Sequence, residues 1–324
     1  MASILRGIDN LDSADIVKDS TCESDIAPYN KGFKNYIING GFDVWQRGTS
    51  FSGSSEYTAD RWKAQIDGNV GTKNRSTNVP TGYKYSLNIA VTGSASFTQI
   101  GQHIEFVNFK GLRGKTATLS FWVKANNTNI SSITYRIRYS TNLEDETILF
   151  SGSTLVSGSK TVSTTWQQHT ASFVVPIETT SMSIEFITGA VSNGDIFYIT
   201  GVQLEEGSVA TPFENRPYGL ELSLCERTLP SSIGFFSGYV VATNEVCVSV
   251  PHNVKARVAP TGLIASSGGT VYYGNTTSPI TGVYFFGGGI DSSTIKVNPT
   301  GSPLTVGQGV MVGLPKILFT GCEL

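Results

Sequence analysis

From about Tyr36 onward, the chain is a succession of short runs in which apolar and polar residues alternate one by one. The clearest runs are 119–124, 133–139 and 182–186, and Gly, Ser, Asn and Thr residues bound them. An alternation with a period of two indicates strands that bury one face, as in antiparallel sheets. Strand and helix patterns do not alternate along the chain, so we predict an all-β fold built from packed sheets.

Composition and charge exclude several classes of protein. Charged residues make up only 15% of the chain, against about 25% in an average globular domain. The formal net charge of -2 provides no basic surface, so we predict no nucleic-acid partner. No run of about 18 or more apolar residues occurs, which predicts no membrane insertion. The first residues lack the apolar segment of a secretory signal, so we expect synthesis and assembly in a cytoplasm.

Neither the cysteines nor the histidines are spaced as metal ligands. Because the cysteines lie far apart in a chain without an export signal, we expect reduced thiols. No Cys-x-x-Cys motif or Cys/His cluster occurs, so we predict no zinc site and a structural position for each histidine. These residues are Cys22, Cys225, Cys247, Cys322, His103, His169 and His252.

The length of 324 residues accommodates two β domains and a tail, since domains have about 100 to 200 residues. Residues 1–33 are polar with little periodicity and are predicted to be an extended N-terminal arm, with a disordered terminus as the alternative. Residues 34–217 contain the first set of strands. Residues 218–324 are predicted to be a second, smaller domain, a β-sandwich with a short linker helix at its start.

Two long motifs mark the ends of the first β region. The first is the run 35–51, NYIINGGFDVWQRGTSF, closed by ADRW at 59–62. The second is GVQLEEGS at 201–208, which continues to ATPFENRP at 210–217. Two patches lie between them, GLRGKTATLSFWVKA at 111–125 and WQQHT at 166–170. In this order, the segments resemble the carbohydrate-binding-module-like jelly roll of bacteriophage fibre and other virion proteins.

The resemblance implies a jelly-roll β-sandwich in which the first and last strands pair and close the fold. It places Trp45 and Trp62 in the core. It gives Asp43 and Asp60 the role of pinning the first loop. The segments 250–261 and 321–324 look like the C-terminal domain that often follows this module in phage proteins, although Ala256-Arg257 stands where Met-Arg is usual.

A calcium site is a further implication of the resemblance. Many related modules hold calcium near the first and last strands, and calcium takes about six to eight oxygen ligands. Asp43 would contribute a carboxylate to such a site. The closing strand, however, has no acidic residue at 200–203, where calcium-binding members tend to have one, so we assign no metal.

Carbohydrate binding is the function that the resemblance implies. Sugar sites on jelly rolls combine aromatic rings, which cover the apolar face of a sugar, with polar side chains that hydrogen-bond its hydroxyls. Trp122 and Lys124 alternate with core residues of one strand, and Arg136 and Arg138 with those of the next. We predict that the four share one outward sheet face and bind carbohydrate. The alternative is that Trp122 lies under a loop or against a neighbouring subunit.

Catalytic patterns do not occur in the sequence. Glycoside hydrolysis needs two carboxylates about 5 to 9.5 Å apart across a cleft, and the adjacent Glu205 and Glu206 point to opposite faces of a strand. The chain also lacks a Gly-x-Ser-x-Gly elbow, a phosphate-binding loop and a His-Glu-x-x-His helix. We therefore predict no enzymatic activity, no catalytic residue and no cofactor.

The resemblance implies a structural protein of a bacteriophage particle. We expect a homotrimeric tail fibre or other appendage in which the N-terminal arm docks onto other virion proteins and the jelly roll recognises a host surface polysaccharide. The host cytoplasm is the expected site of assembly. The alternative is a structural adaptor or spacer within the virion that binds no sugar.

Overall fold

The computed structural model describes residues 33–265, 268–301 and 304–323, and the described chain is all-β. It forms a jelly-roll β-sandwich followed by a second, smaller β domain, which confirms the predicted fold class. The predicted arm, residues 1–33, lies outside the described residues apart from Phe33. Within the described ranges, no helix is both long and apolar enough to cross a membrane.

The sandwich consists of two six-stranded antiparallel sheets. Sheet A has the strand order β1(Ser50–Phe51), β4(Gly71–Ser76), β5(Ser86–Val91), β12(Ile196–Glu206), β7(Thr116–Ala125), β10(Gln167–Val174). Sheet B has the order β2(Ser55–Tyr57), β3(Lys63–Ile66), β6(Thr98–Ile104), β11(Ser181–Thr188), β8(Ser132–Ser140), β9(Ser153–Thr161). A short helix, α1(Phe106–Phe109), follows β6.

The chain passes repeatedly from one sheet to the other, and the alternating side chains fill the space between them. Phe121 of β7 and Phe186 of β11 meet there with ring centroids 4.7 Å apart. Both rings are buried, with the aliphatic residues of the neighbouring strands around them. Burial of this apolar surface is the main stabilising contribution to the sandwich.

The opening run 35–51 is irregular until β1 and does not form the strand that the resemblance implied. It nevertheless follows the closing strand, since Tyr36 N donates to Leu204 O at 2.8 Å and Val202 N donates to Gly40 O at 2.9 Å. Gly40 is required at this close approach, because a β-carbon there would overlap the carbonyl oxygen of Val202. The contact between first and last segments is therefore present, but as isolated hydrogen bonds.

The two tryptophans of the opening motif lie in the core, as predicted. Trp62 is fully buried and Trp45 nearly so. Trp62 donates its indole N–H to Asn39 O at 2.9 Å, and Trp45 donates its own to Phe42 O at 2.6 Å. These bonds satisfy the polar atoms of buried aromatic residues and hold the irregular run against the sandwich.

The second domain is a single seven-stranded sheet. Because β13 pairs with both β14 and β19, six of its strands close into a barrel, and the predicted second sandwich is wrong. The strands are β13(Ser231–Ala242), β14(Glu245–Pro251), β18(Ser292–Pro299), β17(Thr276–Gly288), β16(Thr270–Tyr273) and β19(Gly309–Thr320), with β15(Gly262–Ala265) outside the ring on β19.

The predicted linker helix is present as α2(Tyr218–Glu226) and leads into the barrel. Ion pairs connect the barrel side of this linker to the sandwich. The buried Glu105 carboxylate accepts from Arg227 Nε at 3.1 Å and lies 3.4 Å from Arg61 Nη1. Arg257 reaches back to Glu146 at 3.1 Å. The two domains are therefore joined by charged contacts as well as by the chain.

His103 lies beside this junction, buried on β6, and its Nε2 lies 3.1 Å from the carbonyl oxygen of Asp145. The neutral ring donates Nε2–H to this carbonyl. Burial lowers the pKa of His103 from 6.5 to about 4, and the nearby Arg61 guanidinium adds to the shift. The folded protein therefore keeps His103 neutral at a pH where the unfolded chain protonates it.

Stability should consequently fall as the pH decreases from about 6.5 towards 4. Between about pH 7.5 and pH 5, we expect His103 to reduce the free energy of unfolding by about 2 kcal/mol. Urea unfolding at the two pH values measures this loss, with His103→Gln as the reference because glutamine keeps a donor and does not titrate. Equal pH dependence in both proteins would contradict the assignment.

Candidate functional site

The four predicted sugar-binding residues do not share a face. Trp122 and Lys124 lie on β7 in sheet A, whereas Arg136 and Arg138 lie on β8 in sheet B. The hydrophobic core separates the two outward faces. The prediction of one shared face is therefore wrong, because β7 and β8, although consecutive in the chain, belong to opposite sheets.

Arg138 belongs to a buried ion-pair network on the outer face of sheet B. Its Nε donates to Glu185 Oε1 at 2.6 Å, and its Nη atoms donate to the carbonyl oxygens of Gly152 and Phe150. Glu185 is completely buried and also accepts from Gln99 at 3.1 Å. The Arg138 side chain is thus fully engaged in holding the loop 141–152 against the sheet.

Arg136 is less tightly held. Its Nη1 lies 3.8 Å from Glu185 Oε2, and its side chain is about a third exposed, at 30%. This ion pair contributes little to stability because it is long and water already solvates the Arg136 guanidinium, while Arg138 remains the main partner of Glu185. Arg136 therefore keeps a side chain available at the surface, while Arg138 does not.

The difference predicts unequal effects of substitution. Arg138→Ala leaves the Glu185 carboxylate buried without its main partner, which should cost about 3 to 5 kcal/mol of stability. Arg136→Ala should cost about 1 kcal/mol or less. The two variants are matched, since each removes one guanidinium group. Chemical denaturation measures the free energy of unfolding of both. Similar losses would show that the Arg138 network is not structural.

The outer face of sheet A carries a row of aromatic and amide side chains. Asn74, Asn88, Tyr198 and Lys124 lie opposite one another on β4, β5, β12 and β7. The Trp166 ring lies against Tyr198, with centroids 6.2 Å apart. We call these five residues the sheet A face.

Hydrogen bonds orient the side chains of the sheet A face. Asn78, in the loop 77–85 between β4 and β5, accepts from Lys124 Nζ and from Trp166 Nε1, each at 3.2 Å. Asn74 donates to Asn88 at 3.1 Å. Lys124 Nζ also lies 5.9 Å from the centre of the Tyr198 ring. The rings and amides are therefore held in place before any ligand arrives.

Trp122 lies next to the sheet A face but partly beneath the loop 77–85. Its indole hydrogen-bonds to the Tyr83 hydroxyl, and the Tyr83 ring covers Gly201 so closely that a β-carbon there would lie 2.6 Å from the hydroxyl oxygen. Trp122 is half-buried. The alternative position under a loop is thus the observed one, and a role of Trp122 in sugar binding stays a prediction.

A cavity of about 300 Å³ lies where the opening run, the loop 77–85 and the exit segment before α2 meet. Three aromatic residues and five charged residues contribute to its lining. The aromatic residues are Tyr83, Phe213 and Tyr218, and the charged residues are Asp43, Lys84, Glu214, Arg216 and Glu221. We call it the Asp43 cavity.

Asp43 lines this cavity and does not pin the first loop, which corrects one of the two predicted roles. Burial raises the pKa of the Asp43 carboxyl, Lys84 opposes the rise and Glu221 adds to it. Asp60 has the pinning role, since its carboxylate accepts from Gln46 N at 2.9 Å and from Gln46 Nε2 at 2.7 Å. Asp43 accepts no hydrogen bond from the described part of the chain.

A buried arginine holds the walls of the Asp43 cavity together. Arg216 Nη1 donates to Ile37 O at 3.0 Å and lies 3.2 Å from Glu221 Oε2. Its Nη2 donates to Asn35 O. Glu214 accepts from Asn35 N at 3.0 Å. These contacts join the opening run to the exit segment and to α2, so the cavity has a rigid frame.

Metal-ligating side chains are not clustered in the described ranges. No set of three or more His, Cys, Asp or Glu side chains there is close enough to hold a metal ion. Glu205 is buried and bonds Thr211, whereas Glu206 pairs with Lys115 at the surface. The described cysteines, Cys225, Cys247 and Cys322, are buried free thiols, and Cys22 lies outside the described residues.

No family model matches the chain, and no curated protein matches it. Similar solved structures include TmCBM61 in complex with beta-1,4-galactotriose, at 15% identity and a TM-score of 0.37, covering 54% of this chain and 100% of that one. The xylan-binding domain of CBM 22 is 14% identical, with a TM-score of 0.36 and coverage of 56% and 100%. The enzymatically active domain of bacteriophage CBA120 tailspike protein 4 is 19% identical, with a TM-score of 0.37 and coverage of 53% and 21%.

Sequence reasoning missed the residues that complete both candidate sites. Trp166 stands directly before β10, and its position over Tyr198 follows only from the pairing of β10 with β7 and of β7 with β12. Asn78 and Tyr83 belong to a loop without a periodic pattern. The only local signal was the WQQHT patch at 166–170, which indicated a strand but not what its first residue covers.

Proposed function

We propose that this chain is a glycan-binding appendage protein of a bacteriophage particle, and that it binds sugar on the sheet A face. The observation that carries the proposal is the joint placement of Trp166, Tyr198 and Lys124 with Asn74 and Asn88 on one outward face. A sugar presents apolar C–H groups on one side and hydroxyls around its edge. Aromatic rings and planar amides on one surface complement both.

The charge of this face also suits a neutral or acidic glycan. Lys124 is its one charged member, and the amides provide both donors and acceptors. Low charge across the chain, at 15%, is consistent with recognition through hydrogen bonds and stacking. The rival function, a spacer that binds no sugar, requires no such arrangement of hydrogen-bonded aromatic residues.

The glycan proposal predicts a specific loss of affinity. Trp166→Ala removes the ring that a sugar would stack on, which should weaken binding about ten-fold, or by about 1.4 kcal/mol. Val174→Ala is the control, because Val174 is an exposed residue at the far end of β10, the strand that Trp166 directly precedes. A glycan array with the full chain identifies the ligand. Calorimetry then compares the affinity of Trp166→Ala and of Val174→Ala for that ligand.

Absence of any saturable glycan on the array would favour the spacer function. Equal affinity in Trp166→Ala and Val174→Ala would place the sugar elsewhere. Thermal melting of both variants accompanies the binding measurements, so that loss of structure is distinguished from loss of the ring.

We further propose that the appendage is a homotrimer attached to the particle through residues 1–33. The barrel supports association, since it exposes large apolar side chains, including Tyr284 and Phe286 of β17. Phe235, Tyr272 and Met311 form one patch, with the Phe235 and Tyr272 ring centroids 5.7 Å apart. Exposed apolar patches of this kind mark contact surfaces, and a closed threefold arrangement buries them in every copy.

The proposed trimer predicts that a charge introduced into the patch of Phe235, Tyr272 and Met311 prevents association. Phe235 is 65% exposed, so Phe235→Asp should leave the barrel folded and convert a trimeric mass to a monomeric one. Light scattering at micromolar concentration measures the mass, and Val174→Asp, on the sandwich, is the matched control. A monomeric mass for the unsubstituted chain would contradict the trimer.

A further inference from the structure

The Asp43 cavity combines groups of opposite charge, which do not suit a simple ion of either sign. Asp43 offers a carboxylate that accepts no hydrogen bond within the described part of the chain, whereas Lys84 offers an exposed ammonium group at the rim. The Asp43 carboxylate would repel a simple anion, and the Lys84 ammonium group would repel a simple cation. The lining therefore suits a neutral molecule with several hydroxyl groups.

Aromatic rings form the apolar part of the lining. The Tyr83 and Phe213 rings lie 5.3 Å apart at an interplanar angle of 53°. Gly41 keeps the floor open, because a β-carbon there would lie 3.0 Å from Asp43 Oδ2 and 3.6 Å from the Phe213 ring. A side chain at this position would fill the space between the carboxylate and the ring. Beside the paired Arg216, Glu214 and Glu221, the lining thus offers the Asp43 carboxylate, the Lys84 ammonium group and the two tilted rings to a ligand.

We propose that the Asp43 cavity binds a single sugar ring, as a chain end or a branch of the glycan. This rests on the proposed function and assigns it a second subsite. The volume of about 300 Å³ is at the lower limit of small-molecule sites, which range over about 300 to 1,000 Å³, so it accommodates one ring and not a chain segment. The ring stacks on Phe213 or Tyr83, and its hydroxyls donate to Asp43 and accept from Lys84.

Tyr83 connects this subsite to the rest of the proposed surface. Its ring lines the cavity, and its hydroxyl hydrogen-bonds to Trp122 beside the sheet A face. A glycan with one ring in the cavity would therefore extend towards the sheet A face over Tyr83 and Trp122. Two weak sites on one ligand raise the overall affinity, because the second contact becomes intramolecular.

The test uses the full chain and a panel of neutral methyl glycosides, followed by saturation-transfer NMR and titration. A one-ring glycoside should bind saturably, and Asp43→Asn should weaken it about ten-fold or more, since a charged acceptor is replaced by a neutral group of the same size. Phe213→Leu should weaken it similarly through loss of the ring. Glu178→Gln, an exposed carboxylate far along the chain, is the charge-matched control and should bind as the unsubstituted chain does.

Three results would overturn the subsite. These are no binding by any neutral glycoside, unchanged binding in both Asp43→Asn and Phe213→Leu, and tighter binding of a free amino acid, whose opposite charges would match Asp43 and Lys84. Glycan-array binding distinguishes this failure from failure of the proposed function. If binding of a polysaccharide still depends on Trp166 but not on Asp43, the sheet A face remains the proposed binding site and the Asp43 cavity is excluded as a subsite. Melting temperatures verify that each variant is folded.

Discussion

The hydrogen bonding of β12 is the constraint on which the rest of the sandwich depends. This strand lies at the centre of sheet A, pairs with β5 and β7, and is buried along its length except at the two end residues. It also binds the irregular opening run through Leu204 and Val202. Because one strand organises both neighbouring strands and the opening run, the walls of the Asp43 cavity and the sheet A face share a single frame.

Buried charges connect the loops to this frame. The chain has few charged residues, yet Glu185, Glu105 and Glu221 are each buried and paired with arginine. The Arg138–Glu185 pair joins β8 to β11, and the Arg227–Glu105 pair joins the linker to the end of β6. Arg216 and Glu221 are close in sequence, but both also bind the backbone of the opening run, at Ile37 O and Asn39 N. A buried carboxylate left alone would be costly, so each pairing specifies one arrangement of the segments that it joins.

The strands and the apolar face of each could be predicted from the sequence, because alternation depends only on neighbouring residues. The predicted runs 119–124, 133–139 and 182–186 lie within β7, β8 and β11, and Trp62 was placed correctly in the core. The candidate site could be predicted only in part. Trp122 and Lys124 do point outward from sheet A, but Arg136 and Arg138 lie across the core from them, because alternation gives a face and not the sheet to which that face belongs.

The sequence by itself determined an all-β chain with two β regions, a helix between them and tryptophans in the first core. Only the tertiary structure decided that the second sheet closes into a barrel, that the opening run is irregular, and that Asp43, Tyr83 and Phe213 line one cavity. The physical reason is the range of the interactions. Side-chain alternation is set within a few residues, whereas strand pairing and loop burial depend on hydrogen bonds and packing between segments more than a hundred residues apart, such as those between Asn35 and Glu214.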